Sequence, residues 1–455
     1  MSAQTDRRGF LQAGAVAGIG FWVAGSATAA EGDKKERSAV ERLNIACIGV
    51  GGKGSSDTDH AGKIGNVVAL CDIDDNNLGG KAKAFPEAKK FADFRELFDK
   101  MGKDIDAVVI STPDHTHAPA AAMALRLRKH VYCQKPLTHS VFEARKLREL
   151  AREYKVCTQM GNQGTANDQF RSSVELLRSG ALGAVKEVHV WTNRPIWPQA
   201  PKVTKRPKPT DVPKQVHWDL FLGPAPERPY AAGYHPFAWR GWRDFGTGAI
   251  GDMACHTANM PFMGLNLGHP STISAESDTP NPETYPGWAK VTYQFPKKGD
   301  RAPLKLTWYE GKKDGKLVLP DIALLQGKHK GFSGSGSLIV AEKGTLYSPD
   351  DYGGSQQLIG QDVADIKKPE KTLTRRGGDN DLQQKQEWAD AIKKNDYKIA
   401  LSNFDYAGLL TEVVLLGNVA VLAGTKLVYD GKEMKFGDSQ MDKLLQYEYR
   451  TGWKL

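Results

Sequence analysis

The chain has 455 residues, 40% hydrophobic and 25% charged, with a formal net charge of +9. Those proportions suit a soluble globular protein with room for two domains of ordinary size. The positive residues are scattered and the densest patch, 202–214, is interleaved with prolines, so nothing in the charge marks a nucleic-acid partner. The five cysteines are odd in number and widely spaced with no CxxC, which argues against a disulfide framework and against a metal site and leaves core thiols.

Arg7-Arg8-Gly9-Phe10-Leu11 lead into an uncharged stretch, 11–30, rich in Ala and Gly, which ends in Ala27-Thr28-Ala29. Paired arginines before a weakly hydrophobic run and a small-residue cleavage site resemble a twin-arginine signal. So many Ala and Gly residues make a poor membrane span. The expectation is export to the periplasm or beyond by the twin-arginine machinery, with cleavage near Ala29. That route carries folded proteins, which suggests a cofactor loaded before export. Residues 31–42 read as a polar linker.

Residues 43–54 set the plan of the first domain. A nearly continuous apolar run, Leu43 to Val50, suits a strand buried on both faces of a parallel sheet, and it enters Gly49-x-Gly51-x-x-Gly54. Gly49 permits the turn, Gly51 lets the backbone approach a pyrophosphate, and Gly54 lets helix and strand pack. The next apolar run, 67–71, ends in Asp72, where this motif needs an acid for ribose hydroxyls; Asp74 is a second candidate. A carboxylate there favours NAD over NADP. Helices are expected at 76–84, 93–100, 118–127 and 141–154, and strands at 107–111, 130–133 and 156–160. This alternation predicts a doubly wound Rossmann sheet over 43–165, with ligand at the strands' carboxyl ends.

On that edge fall Thr112-Pro113-Asp114-His115-Thr116-His117 and Gln134-Lys135-Pro136. With the glycine fingerprint and the acid after the second strand, they resemble the Gfo/Idh/MocA oxidoreductases, a family that includes glucose–fructose oxidoreductase and inositol dehydrogenase. The resemblance implies that Lys135 lies beside nicotinamide and substrate, and that Thr112, Pro113, His115 and His117 line the cofactor end. Gln134 departs from the Glu of that motif. A lysine buried near a cationic nicotinamide has its pKa lowered by desolvation and like charge, which suits proton exchange with a hydroxyl. His115 and His117 could ligate a metal by spacing alone; beside the nicotinamide they read as substrate or supporting contacts.

Residues 166–455 read as an α+β substrate and oligomerisation domain with a large open, mostly antiparallel sheet. A helix is expected at 167–179, strands at 185–191, 289–295, 304–309 and 337–341, and helices at 382–394 and 404–422 that return to the nucleotide domain. Asp252 and His256 are four apart, on one helix face behind a glycine-rich loop. Such a pair can meet one substrate hydroxyl, with His256 taking the proton and Asp252 binding a hydroxyl or orienting the ring. In the family this D-x-x-x-H pair partners the K-P lysine. Five tryptophans lie between 191 and 242; Trp239, with Arg240, Arg243 and Asp244, suits a sugar face, and core packing accounts for others.

The expectation is an NAD-dependent oxidoreductase of a sugar, glycoside or cyclitol hydroxyl, working as a homodimer or homotetramer with tightly bound NAD. One alternative is a glycoside hydrolase or lyase acting through a transient keto-sugar. The other is a non-catalytic sugar- or nucleotide-binding protein on the same fold.

Overall fold

Six short runs before residue 161 pair as parallel strands: β1 (Leu43–Ile48), β2 (Gly65–Cys71), β3 (Lys89–Phe91), β4 (Ala107–Ile110), β5 (His130–Cys133) and β6 (Thr158–Met160). Their order is β3-β2-β1-β4-β5-β6. The winding reverses between β1 and β4, which opens the ligand crevice at their carboxyl ends. The strands are apolar throughout because helices cover both faces: Ile45 and Val109 pack on one side, Ala46 and Val108 on the other. The computed structural model describes residues 42–455, so the twin-arginine motif and most of the linker lie outside the described residues.

The second sheet has nine strands. They are β7 (Val185–Thr192), β8 (Thr272–Ser277), β9 (Trp288–Phe295), β10 (Leu304–Lys313), β11 (Lys316–Leu317), β12 (Gly336–Ala341), β13 (Gly344–Ser348), β14 (Gln357–Ile359) and β15 (Leu427–Val428). The order is β14-β13-β12-β7-β10-β9-β8-β15, with β11 on β10. All neighbours are antiparallel except β7 and β10. Alternation along the strands sorts the side chains. Val188, Val190, Leu306 and Trp308 join the main core, while Trp191, Tyr309 and Leu338 build a separate cluster on the other face.

Two helices tie the sheets together. Phe404–Ala423 is long and apolar enough to cross a membrane, yet it is mostly buried within the protein. The Tyr293 hydroxyl on β9 donates to its Val414 carbonyl (3.1 Å), and its first amide donates to Thr158 Oγ1 on β6 (2.9 Å). Asn380–Lys393 lies under the parallel sheet, where Trp388 Nε1 donates to the Cys157 carbonyl (3.1 Å).

The fourth helix corrects the sequence reading. It spans Asp114–Arg126, not 118–127. Pro113 supplies an extended N-cap, so Asp114, His115 and His117 belong to the opening turns of a helix. The five buried cysteines are free thiols.

Candidate active site

The glycine loop has the shape the fingerprint needs. Gly49 has φ +76°, and a Cβ there would lie 2.7 Å from the Ser111 backbone. A Cβ at Gly54 would lie 1.9 Å from the Gly49 carbonyl oxygen, so helix and strand pack only without one. The helix Lys53–Ile64 begins at Gly52 with no side-chain cap and no acid in its first turn. Its free N–H groups and positive dipole end are left to an anion, which fits a dinucleotide diphosphate.

Asp72 closes the loop from β2. Its carboxylate accepts from the amides of Val50 (2.8 Å), Gly51 (3.1 Å) and Asp74 (2.9 Å). Burial still pushes its carboxyl above the usual range. The Asn77 side chain is a fourth partner, so a ribose hydroxyl would take its place among the about four acceptor positions of the carboxylate. Asp74 instead caps the helix Asp75–Ala82 through the Asn76 amide.

Lys135 and Asp252, which the sequence separates widely, meet. Lys135 Nζ donates to Asp252 Oδ1 (2.7 Å) and to the Asp252 carbonyl (3.0 Å). The two side chains are 18% and 15% exposed, which leaves them open to a small molecule. Burial pushes the Asp252 carboxyl up, but the Lys135 and Arg240 charges outweigh it and hold it below the usual range. Arg240 Nε lies 3.8 Å from Asp252 Oδ1, and its guanidinium stacks 4.3 Å over the Trp239 ring.

His256 stands one turn further along the same helix, Gly248–Thr257. Burial, then the Lys135 charge, hold its pKa well below the usual histidine value, so the ring is neutral at neutral pH. Its Nδ1 is buried without a hydrogen-bond partner. A buried orphan of that kind is costly unless a ligand satisfies it. The Tyr352 ring meets the imidazole edge to face at 4.8 Å. Arg240 was expected only as a polar neighbour of the tryptophans, not as a partner of Asp252. Tyr352 was not expected from sequence, and nothing around it marks it.

His115 and His117 are braces. His115 is 1% exposed and its ring nitrogens face the carbonyls of Phe245 (3.1 Å) and Phe221 (2.7 Å). The His117 ring sits between the Pro136 and Thr112 carbonyls, 2.8 Å from each, and its single N–H donates to one of them. Burial lowers their pKa to about 3 and about 4, against those carbonyls. The expectation that they line the cofactor pocket is therefore corrected: their nitrogens are already engaged inside the protein. Thr112 and Pro113 do sit on the strand-end edge, partly exposed.

Of the residues expected at the sugar, Trp239 backs Arg240. Arg243 and Asp244 are drawn elsewhere: Arg243 Nη1 donates to the Asn281 carbonyl (3.0 Å), and Asp244 pairs with buried Arg228. Trp191, Trp197 and Trp242 are buried core rings.

Gln134 has a physical reason. Its Nε2 donates to Asp57 Oδ2 (2.9 Å), a carboxylate with no exposure. A glutamate at 134 would set two buried carboxylates against each other.

Comparison with known proteins agrees with the fold. Residues 43–162 match the oxidoreductase-family model for the NAD-binding Rossmann fold, and 168–309 match that family's C-terminal alpha/beta domain. An inositol 2-dehydrogenase of Rubrobacter xylanophilus is 35% identical over 156 residues, which cover 32% of this chain and 43% of that enzyme. The match therefore spans less than half of that relative's length. Among solved structures that share the fold, an aldose-aldose oxidoreductase from Caulobacter crescentus, complexed with glycerol, has TM-score 0.56 and 15% identity over 85% of this chain and 100% of its own. An inositol dehydrogenase homolog from Azotobacter vinelandii, complexed with NADH and myo-inositol, has TM-score 0.57 and 15% identity over 86% and 98%.

Proposed function

This chain belongs to the Gfo/Idh/MocA oxidoreductases, and we propose that it is an NAD-dependent dehydrogenase acting on a ring hydroxyl of a sugar, glycoside or cyclitol. The observation that carries this reading is the Lys135–Asp252 pair (2.7 Å) one helical turn from a neutral His256 whose Nδ1 has no partner. NAD, held by the glycine loop and Asp72, supplies the hydride acceptor. His256 offers an uncharged nitrogen to the hydroxyl proton. Lys135 donates to the same oxygen and steadies it as its bond to carbon shortens, and Asp252 holds the ammonium in place. Arg240, fixed on Trp239, keeps Asp252 ionised.

The reading extends to export and assembly. The Arg7-Arg8 signal supports passage by the twin-arginine machinery with NAD already bound, and the family resemblance supports a homodimer or homotetramer. NAD is favoured over NADP because Asp72 would repel a 2′-phosphate.

Two measurements test the proposal. Denaturing the purified protein should release near-stoichiometric NAD(H). Lys135→Ala and His256→Ala should each lower kcat on a sugar or cyclitol by at least about 100-fold, the lower range for general acid–base groups. Variants that turn over as fast as wild type would remove both residues from the chemistry.

A further inference from the structure

Gln384 and Lys385 sit side by side on the helix Asn380–Lys393, far along the chain from the residues assigned to the reaction, and neither has any exposed surface. Their side chains lead to different halves of the site. Lys385 Nζ lies 2.7 Å from Asp57 Oδ1, and Asp57 Oδ2 accepts from Gln134 Nε2 (2.9 Å) and Ser111 Oγ (2.8 Å). Gln134 immediately precedes Lys135. Gln384 Nε2 donates to the Asn162 carbonyl (3.0 Å), and Asn162 Nδ2 donates to the Cys255 carbonyl (3.3 Å). Cys255 immediately precedes His256.

The two branches share Tyr132 on β5. Its hydroxyl donates to Gln384 Oε1 (3.0 Å) and lies 3.4 Å from Lys385 Nζ. A third branch reaches the cofactor loop, because Lys53 Nζ bonds Asp57 Oδ1 (2.8 Å) and Asp381 (2.5 Å), which also takes Lys385 Nζ (2.7 Å). Desolvating this many charges is expensive, and an apolar cluster of like volume would serve stability as well. What directional bonds add is geometry.

We propose that Gln384 and Lys385 are positioning residues that set Lys135 and His256 relative to one another, with Asp57 and Asn162 as intermediaries. Neither touches substrate; each acts through the residue before a catalytic residue, Lys385 through the Gln134 side chain and Gln384 through the Cys255 carbonyl. The inference rests on the assignment of Lys135 and His256 above. A misplacement on the order of 1 Å costs up to about 100-fold in rate, so small displacements of these residues are felt in kcat.

The test uses Lys385→Met, Gln384→Met and the double variant Asp57→Asn/Lys385→Met in the full-length protein. Each single change should lower kcat at least about tenfold while KM moves less than about threefold. The double variant removes the carboxylate that has lost its buried cation, and Lys53 keeps Asp381 as its partner, so its Tm should return toward wild type while kcat stays low. A double variant that regains kcat together with Tm, or a single variant with wild-type kcat, overturns the proposal in favour of a purely structural cluster. A crystal structure of Lys385→Met gives a readout that needs no turnover: Gln134 and Lys135 should shift relative to His256, and an unmoved Lys135 overturns the proposal. Absence of any sugar or cyclitol oxidation by the wild type would instead fail the functional reading and leave this structural arm to decide the wiring.

Discussion

At the scale of single residues, burial decides what each ionisable group can do. His256 and Asp252 share a helix and a cationic neighbour, yet one stays neutral and the other stays charged. Glu310 on β10 shows the same physics outside the site. It is 2% exposed, with Trp308 Nε1 donating to it at 2.8 Å. Burial, against that bond, raises its pKa from 4.5 to about 8. The folded state therefore holds its proton more tightly than the unfolded chain. The resulting stability is full below pH 4.5 and is lost as pH rises toward 8. At about 1.4 kcal/mol per pH unit, the loss at pH 7 is on the order of 3 kcal/mol. Glu310→Gln keeps an acceptor for the indole and removes the titration. Its advantage over wild type should be absent at pH 4 and grow to about 3 kcal/mol by pH 7, read from urea unfolding at each pH. An advantage that does not change with pH would mean that Glu310 is ionised in the fold.

At the scale of elements, the glycine loop separates what sequence can say from what it cannot. Both Gly51 and Gly54 belong to the fingerprint, but a Cβ at Gly54 meets backbone at 1.9 Å, whereas at Gly51 it meets the end of the Asn77 side chain at 2.3 Å. Backbone cannot yield and a surface side chain can. Gly54→Ala should therefore disrupt folding, with a large fall in Tm. Gly51→Ala should fold with a Tm near wild type and bind NAD more weakly, by titration of the purified protein. Equal stability losses would contradict this division. The strands and long helices were legible because their apolar runs are local: β5 and the helix Val141–Tyr154 have the boundaries expected of them. Lys135, Asp252 and His256 were legible through motif resemblance. Tyr352, Asp57 and Lys385 were not, because their roles depend on partners brought together only by the tertiary fold. His115 and His117 were legible as supporting contacts, but not their partners, because the helix that Pro113 starts turns them inward.

At the scale of the whole molecule, buried histidines stitch the nucleotide half to the segment before the helix Gly248–Thr257. His115 reaches the Phe221 and Phe245 carbonyls, and His139 reaches the Gly246 carbonyl (3.0 Å). Asp114 adds a bond to Thr247 Oγ1 (2.6 Å), the residue that opens that helix. Burial lowers the pKa to about 3 for His115 and to about 4 for His117, His130 and His139, and lowers His256 as well. Once unfolded, each takes up a proton near pH 6.5. Between about pH 4 and 6.5 the unfolded state therefore binds more protons at these five positions, and stability rises with pH. Asp114 and Glu310, raised by burial to about 7 and about 8, act in the opposite direction, as do Asp72 and Glu143, which burial raises less. The histidines prevail because they are more numerous and their window lies wholly below neutrality. Acidification from pH 6.5 to 4.5 should lower the unfolding free energy by about 1.4 kcal/mol per pH unit for each net proton taken up. Urea unfolding at pH 7, 6 and 5 measures that slope. Glu310→Gln removes one opposing group, so its slope should be steeper than wild type over the same range, and a wild-type stability that instead rises on acidification would show that the histidines are protonated in the folded state.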